Sequence, residues 1–543
     1  SLSKALGILL GLSPIIAVAV TVPDSGSVLQ QLQQPTLKPP LETGVILTFP
    51  SGQSVKETTQ GGPEVIIKQL SFVGLQAKTN DDLLLMLGSV LDKSYNMSGL
   101  RQIADRIAQY YREEGYPFAR TYLPPQEVST GVLRFDVLEG HYGEVKTSAE
   151  NEDIQKGSQN FLNVIQPNDL IESNTLERVT LILDDQPGYR ALPIVRPGQQ
   201  VGTGDLEVRM VNENLPKYQV SVDNFGSRFT GENRITLSGG HHHLGVFGDE
   251  MTFSAIKTNE NMMFGRLGYS LPLNNTGLRG DFSYNKTQYQ LGKNLSSLDA
   301  IGTANIISAG LSYPILRSQK TNISLSASFQ YKSLNDEIRS NDSKTIKTGR
   351  NLPIALNFDH RDVQGVTYGA LAYTLGDIHY DDTAKDSANT RGDFTKVTFD
   401  LARIQLLDHG FSLFGRASAQ KANKNLDSSE DMLLGGASSV RAYPQGEQSG
   451  DEGYFAQLEL RYTMNEITPY CFFDKGQVST NASPTSTIKN TTRSLSGYGL
   501  GMKYNQQNWN TDIFVAWRGE GGTSTVDANN DGARIWANWN YRF

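Results

Sequence analysis

Hydrophobic and polar residues alternate position by position through most of the chain beyond Lys217. Sixteen segments carry this alternation, each roughly 7 to 15 residues long, which is the length that a tilted membrane-spanning strand needs. Because successive side chains of a strand point to opposite faces, each segment has one apolar and one polar face. In the clearest segment the apolar face consists of Ile323, Leu325, Ala327, Phe329 and Tyr331. The pattern predicts a membrane all-β fold, a 16-stranded antiparallel transmembrane β-barrel over residues 217–543.

The gaps between these segments alternate in length, as the long extracellular loops and short periplasmic turns of outer-membrane barrels do. Short turns include 274–277 and 408–410, and one turn, 239–248, is longer than its class predicts. The long gaps lie near 291–302, 334–349, 381–391, 422–452, 480–492 and 520–532. An even strand number puts both ends of the barrel on the same side, so both ends are predicted to face the periplasm.

The last predicted strand ends in aromatic residues on its lipid-facing side. These residues are Ile535, Ala537, Trp539, Tyr541 and Phe543. Aromatic side chains at this depth form the girdle of a membrane barrel. The terminal Phe543 also resembles the signal by which the barrel assembly machinery recognises its substrates, so that machinery and outer-membrane lipid are expected partners. A soluble sandwich, the alternative, needs no aromatic terminus.

Two tandem α+β modules are predicted before the barrel, at 64–141 and 142–216. The first shows an alternating strand at 65–73, a helical stretch from Asp81 to about Arg112, and strands at 119–123 and 132–138. The second shows a helix at 174–183 and strands near 189–195 and 205–211. The similar order of elements indicates a repeated periplasmic unit.

The N-terminal region divides into three parts. Residues 1–19 are apolar after one Lys and end in an Ala-Val-Ala sequence typical of an export signal, although a buried or membrane-lying helix is the alternative. Residues 20–34 predict a short helix with Val28, Leu29 and Leu32 on one face. Residues 35–63 are rich in proline and glycine and predict an extended linker.

Composition excludes several classes of function. The net charge of -8 and pI near 5.5 argue against nucleic-acid binding. The single cysteine, Cys471, excludes an intramolecular disulfide. A mean hydropathy of -0.39 is compatible with a membrane barrel, whose strands average apolar and polar positions. With no nucleophile elbow and no phosphate-binding glycine loop, neither catalysis nor a cofactor is predicted.

Two segments raise the question of a metal site. His241, His242 and His243 are adjacent, but neighbouring side chains of an extended chain point apart, so a solvated turn or an engineered insertion explains them better. The segment 527–532 matches half of a calcium loop but has Asn538 where the twelfth ligand should be glutamate. Neither segment is predicted to bind a metal.

Two short motifs carry the remaining chemistry. The longest loop, 422–452, contains Val440, Arg441, Ala442 and Tyr443 in sequence. Further along, Phe472, Asp474 and Gly476 are spaced by two and therefore share one face of a strand. With the two modules, the 16 strands and the N-terminal helix, these segments resemble the VRGY and FxDxG motifs of two-partner secretion transporters, the TpsB proteins. The resemblance covers almost the whole chain.

The resemblance implies roles for these residues. The loop would fold back into the pore, and Arg441 would pair with Asp474 as a latch, whereas the alternative for Arg441 is an ordinary solvated charge. Ala442 departs from the usual glycine, which puts the fine geometry of the loop in doubt. The first helix would be a removable plug, with a disordered leader as the alternative. The periplasmic modules would be POTRA domains.

The implied function is export of a large unfolded exoprotein, such as an adhesin, a hemolysin or a contact-dependent toxin, through the bacterial outer membrane. The client would bind the POTRA domains by adding a strand to a sheet edge. An insertase that assembles other barrels is the main alternative, but it usually carries more than two such modules. A nutrient receptor, a porin and an outer-membrane enzyme fit the pattern less well.

Overall fold

The computed structural model describes residues 22–33, 37, 39–40, 64–213, 217–527 and 532–543. The predicted export signal lies outside these residues, and so do all but three positions of the predicted linker. Within the described part of the chain, no helix is long and apolar enough to cross a membrane.

A short helix, α1 (Ser25–Gln33), precedes the first α+β module, here called module 1. The elements of module 1 are β1 (Val65–Ile66), β2 (Gln69–Val73), α2 (Asn80–Leu87), β3 (Ser94–Tyr95), α3 (Met97–Glu113), β4 (Arg120–Tyr122) and β5 (Val132–Leu138). In the main sheet β5 lies between the parallel strand β2 and the antiparallel edge strand β4. Both helices pack against this sheet and contribute Leu83, Ile103 and Ile107 to the core.

The single helical stretch predicted from Asp81 to about Arg112 was wrong in its middle, because two helices lie there. The first ends before Gly88, whose φ of +69° is outside the helical region and favours glycine. The second begins after Asn96, whose side chain accepts a hydrogen bond from the Gly99 N–H at 2.9 Å. Sequence periodicity alone did not show that the first helix ends before Gly88 or that the second begins after Asn96.

A buried carboxylate fixes the end of module 1. Glu139 is 1% exposed and accepts hydrogen bonds from the backbone N–H groups of Gln76 and Ala77. It also accepts one from the Tyr111 hydroxyl at 2.7 Å. Burial, together with the neighbouring carboxylate, raises the pKa of Tyr111. The hydroxyl therefore stays protonated and donates a hydrogen bond to Glu139. The chain therefore leaves module 1 in a defined direction.

The second module, module 2, repeats the topology of the first. It consists of β6 (His141–Ser148), α4 (Glu152–Leu162), α5 (Ser173–Asp184), β7 (Tyr189–Pro197) and β8 (Thr203–Asn212). Strand β8 lies between the parallel β6 and the antiparallel β7, as β5 does in module 1. The sequence prediction missed α4, which buries Ile154, Phe161 and Leu162 at helical spacing.

The rest of the chain is a closed antiparallel barrel of sixteen strands, as predicted, with a small hairpin inside one loop. The strands are β9 (Tyr218–Asp223), β10 (Arg234–His242), β11 (Glu250–Thr258), β12 (Met263–Pro272), β13 (Arg279–Gln290), β14 (Ala300–Arg317), β15 (Thr321–Ile338), β16 (Ser343–Asp362), β17 (Gly365–Tyr380), β18 (Gly392–Leu406), β19 (Phe411–Ala422), the hairpin strands β20 (Met432–Leu434) and β21 (Gln448–Gly450), and β22 (Glu452–Tyr462), β23 (Ile467–Ser479), β24 (Thr492–Asn505), β25 (Trp509–Arg518) and β26 (Arg534–Arg542). The last strand pairs with β9 and closes the wall.

One predicted loop is largely strand. The gap expected at 334–349 is reduced to residues 339–342, because β15 and β16 stay paired as far as Ile338 and Ser343. These two strands have 18 and 20 residues, and β14 stays paired with β15 over the same stretch, as far as Ala300 and Ile338. Short 3-10 helices lie in several connections, at Lys293–Leu298, Arg339–Asn341, Thr383–Lys385 and Asp408–Gly410.

Side-chain exposure follows the predicted alternation. Leu325, Phe329 and Tyr331 are exposed on the outer face of β15, whereas Lys332 on its inner face is 3% exposed. On the outside these apolar side chains meet the hydrocarbon of the membrane. On the inside the polar side chains are covered by other parts of the chain, so the lumen is occupied.

Candidate functional site

One of the two segments inside the lumen is the loop that connects β19 to β22, here called the inward loop (423–451). The first strand of its hairpin, β20, is buried, and Val440 and Tyr443 are each 0% exposed. Gly435 and Gly436 begin the turn with φ values of +96° and +108°. A side chain on Gly435 would meet the Pro444 carbonyl oxygen at 2.6 Å, so the tight fold of this loop requires glycine there.

Arg441 lies at the tip of the inward loop and binds Asp474 of β23. Its Nε and Nη2 atoms donate to separate oxygens of the carboxylate at 2.8 and 2.6 Å, and its backbone N–H donates to the same carboxylate at 3.1 Å. Asp474 is 0% exposed and Arg441 4% exposed. The bidentate fork fixes the orientation of both groups in a way that a lysine could not.

A second carboxylate binds the same arginine, and the sequence analysis missed it. Glu459 of β22 accepts a hydrogen bond from Arg441 Nη1 at 2.5 Å and pairs with Arg461 at 2.6 Å. The Arg441 guanidinium also lies 3.7 Å from the centre of the Phe472 ring. Glu459 lies between the outward-facing Leu458 and Leu460. The alternation of that strand therefore already indicated that Glu459 faces the lumen.

The rest of the loop motif contacts other parts of the wall. Ala442 packs against Gly497 of β24, which has no side chain to occupy that space. Ala442 is absent from the residues with positive φ, so the strain expected at this departure from glycine does not arise. The Tyr443 hydroxyl lies 3.0 Å from the carbonyl oxygens of Glu520 and Gly522, between β25 and β26. Gly476 leaves space on β23 that Leu434 of the inward loop fills.

The second body in the lumen is helix α1, the predicted plug. Val28 and Leu29 are each 0% exposed. Val28 packs with Phe229 and Tyr289, and the partly buried Leu32 packs against the same cluster. Leu29 packs in a separate cluster on the inner face of β14 and β15. The three residues predicted on one helix face therefore all contact the inside of the barrel.

Polar groups hold the N-terminal end of α1. Asp24 binds Lys347 of β16 at 2.9 Å, and the same ammonium binds Asp427 of the inward loop at 2.6 Å. The Ser25 backbone N–H and hydroxyl donate to Asp336 of β15 at 2.8 and 2.7 Å. Lys347 is 3% exposed and thus links the plug helix, the wall and the inward loop.

The direction of α1 follows from these partners. Its N-terminal end lies beside the ends of β15 and β16 that join at the extracellular turn 339–342. Farther along, Leu37 packs with Val366 and Tyr368 at the periplasmic end of β17. The carbonyl oxygen of Pro40 accepts a hydrogen bond from Arg361 at the same end. The described residues of this segment therefore lie on the extracellular side of the lumen at Asp24 and on its periplasmic side at Leu37 and Pro40.

The first turn of the barrel docks on module 2. The turn predicted at 239–248 is confined to residues 243–249, because β10 continues through His241 and His242. Phe247 is 6% exposed and packs with Phe161 and Tyr189 in the core of module 2. His242 and His243 lie edge-on to Tyr189, with ring centroids 5.9 and 6.3 Å apart. Within the described residues, no cluster of three or more His, Cys, Asp or Glu could hold a metal ion. The turn is a joint between module 2 and the barrel.

Module 1 carries a groove of about 850 Å³ beside the edge strand β4. Residues of α3 form one wall, among them Met97 and Leu100, and Tyr122 and Leu123 form the other. Met97 and Tyr122 are exposed at 51% and 41%. An open sheet edge next to an apolar groove is the arrangement that binds an extended peptide by strand addition.

The fold and the occupied lumen define a class, a sixteen-stranded outer-membrane transporter with periplasmic modules. The family model described as haemolysin secretion/activation protein ShlB/FhaC/HecB matches residues 202–504, and the model for the ShlB-type POTRA domain matches residues 65–140. The chain therefore belongs to the haemolysin secretion/activation family. Members of this family are outer-membrane transporters that export partner exoproteins by two-partner secretion, and this is the function of the chain.

Sequence relatives agree with this family. The heme/hemopexin transporter protein HuxB of Haemophilus influenzae strain 86-028NP is 26% identical over 516 residues, which is 90% of this chain and 89% of that protein. The outer membrane transporter CdiB of Escherichia coli is 24% identical over 485 residues, 83% of this chain and 79% of that protein.

Solved structures agree on the fold. CdiB from Escherichia coli matches with a TM-score of 0.76 and 17% identity, covering 97% of this chain and 100% of that one. BamA from Haemophilus ducreyi, lacking POTRA domains 1–3, matches with a TM-score of 0.52 and 12% identity over 88% of this chain and 100% of that one. Both likenesses show the fold alone. The family match does not favour the insertase alternative.

Proposed function

We propose that this protein exports a large unfolded exoprotein that first binds module 1, then displaces the plug helix α1 and passes along the inward loop to the cell surface. The observation that carries the proposal is the position of α1. The helix lies inside the lumen, and reversible polar contacts hold its N-terminal end. Each of these contacts can exchange for water as the lumen opens, so displacement breaks no covalent bond.

The route of the client starts at the groove of module 1. An extended segment adds as a strand to β4 and places its apolar side chains between α3 and Tyr122. The joint at Phe247 supports this route, because it holds module 2 against a periplasmic turn of the barrel. The client can enter the lumen only after α1 has left it. In this proposal α1 moves toward the periplasm while the residues after it keep it attached to module 1.

The inward loop keeps its place during transport. Arg441 is bound by two carboxylates on adjacent strands, which supports a role as a latch that fixes the loop against the wall. A buried pair of this kind contributes more to position than to net stability. The fixed loop gives the client a defined polar path instead of a collapsed pore.

Several client classes fit this mechanism, namely an adhesin, a hemolysin and a contact-dependent toxin. The name of the relative HuxB adds an exoprotein that handles heme or hemopexin. The proposed further partners are outer-membrane lipid around the aromatic outer face and the barrel assembly machinery for insertion.

The test is secretion of the exoprotein encoded beside this gene, measured on the cell surface and in the medium with and without this chain. Loss of that one exoprotein, with other outer-membrane proteins at normal levels, is the expected result. A broad loss of other barrels would overturn the proposal in favour of an insertase. Normal secretion without the chain would overturn it as well.

A further inference from the structure

The wall of the barrel has little strand pairing where it closes. Strands β9 and β26 share five register pairs, from Gln219–Arg542 to Asp223–Asn538. Main-chain hydrogen bonds extend the junction by one residue at each end, between Tyr218 and Phe543 and from the Asn224 N–H to the Ala537 carbonyl oxygen. The pairs β9–β10 and β25–β26 share six and eight register pairs, and β15–β16 share sixteen. Because each register pair contributes main-chain hydrogen bonds and side-chain packing, this closing seam is one of the shorter junctions of the described wall.

The extracellular half of β26 continues beyond this pairing. Asn224 is the last residue of this junction. Its backbone N–H donates to the Ala537 carbonyl oxygen at 3.2 Å, and its side chain accepts a hydrogen bond from the Ala537 N–H at 2.8 Å and donates one to the Ile535 carbonyl oxygen at 2.9 Å. Phe225 then turns inward, with its ring centroid 5.7 Å from that of Trp536. The strand pairing therefore ends at one asparagine and one aromatic contact.

Trp536 connects this half of β26 to the inward loop. It is 2% exposed, and its indole Nε1–H donates to the Arg441 carbonyl oxygen at 2.7 Å. The side chain of the same arginine is bound by Asp474 on β23 and Glu459 on β22. The loop tip therefore connects β22 and β23 with the last strand, β26.

We propose that Trp536 is a positioning residue that ties the tip of the inward loop to β26, so that the loop braces the closing seam between β9 and β26. The proposal rests on the loop role proposed above, because a brace needs a loop that stays fixed. It adds a mechanical task for the loop, which is to hold the wall closed at a junction where the strand pairing is short. Trp536 acts through Arg441 and has no contact with a client in this arrangement.

The test compares two matched variants of the purified full-length protein in lipid nanodiscs. Trp536→Phe keeps an aromatic ring but removes the N–H donor. Trp539→Phe changes the lipid-facing tryptophan of the same strand, which is 41% exposed. Hydrogen exchange is followed in peptides that cover 218–223 and 534–543, and in peptides of β15 and β16 as an internal reference.

The expected result is exchange about tenfold faster at the seam in Trp536→Phe, with β15 and β16 unchanged, since losing one buried hydrogen bond is worth about a factor of ten in a local opening equilibrium. Trp539→Phe should leave the seam unchanged. Unchanged exchange at the seam in Trp536→Phe would overturn the proposal, and so would equal acceleration throughout the barrel.

If Trp536→Phe does not assemble, a disulfide across the seam can hold the barrel closed during assembly. Ser221 and Asn540 are register partners across the seam, so Ser221→Cys and Asn540→Cys, in a Cys471→Ser background, can form a disulfide that closes it. The protein is assembled oxidised and then reduced, and the same exchange is measured from that moment. Arg441→Ala separates the two proposals: normal secretion by that variant together with a faster seam would reject the latch role proposed above but leave the brace intact.

Discussion

The Arg441 guanidinium and the Asp474 carboxylate meet side by side, with two parallel hydrogen bonds of 2.8 and 2.6 Å. One group lies on a loop that starts at the cell surface and the other on a strand of the wall. Because both are buried, neither can exchange its partner for water without moving the loop. The pair therefore determines where the inward loop lies in the lumen.

Arg441→Ala should strongly reduce secretion while the barrel still assembles in the outer membrane. The change leaves Asp474 buried without its partner, which costs about 3–5 kcal/mol locally and releases the loop. Secretion is measured at equal levels of folded barrel, judged by heat-modifiable migration. Arg339→Ala, at an arginine that is 51% exposed in an extracellular turn, is the matched control. Unchanged secretion in Arg441→Ala would reject the latch.

Lys347→Ala should loosen the plug helix and open the pore. The ammonium holds both Asp24 and Asp427, so its loss leaves the buried Asp427 carboxylate facing the half-buried Asp24 carboxylate without a cation. Conductance of the purified protein in planar bilayers should increase several-fold. Lys344→Ala, an exposed lysine on the same strand, should keep the resting conductance. Equal conductance in both variants would contradict the role of Lys347.

Met97→Asp combined with Tyr122→Asp should weaken client binding to the periplasmic region. The two side chains line the groove beside β4, and a carboxylate there would lose its hydration when the apolar side chains of an added strand covered it. Binding of the N-terminal part of the exoprotein to the purified full-length chain should fall at least tenfold. The control is Leu85→Asp, on α2, where the leucine is 84% exposed and does not line the groove.

Phe247→Ala should detach module 2 from the barrel. The phenylalanine fills a site in the core of module 2 that Gly157 leaves open, and loss of such a ring costs about 3–5 kcal/mol. Limited proteolysis should then cut between module 2 and the barrel much faster than in the parent protein. Val246→Ala, at a neighbour that is 46% exposed, should leave the rate unchanged. Equal rates in the two variants would show that the joint does not depend on Phe247.

The alternation of side chains predicted the sixteen strands because each strand has its own lipid-facing side, which is a local property of the sequence. Sequence periodicity was less successful where helices end, as at Gly88 and Asn96, because capping depends on one or two residues. It also placed a loop at 334–349, since β15 and β16 continue into water, where no lipid-facing pattern is required.

The sequence by itself determined the barrel, the α+β modules and the two short motifs, because their signals repeat within a few residues of one another. The tertiary structure alone decided which groups meet inside the lumen. Lys347 binds Asp24 from 323 residues away, and Trp536 binds Arg441 from 95 residues away. No local pattern marks such partners, since their proximity is set by strand order, register and the path of a loop through a closed wall.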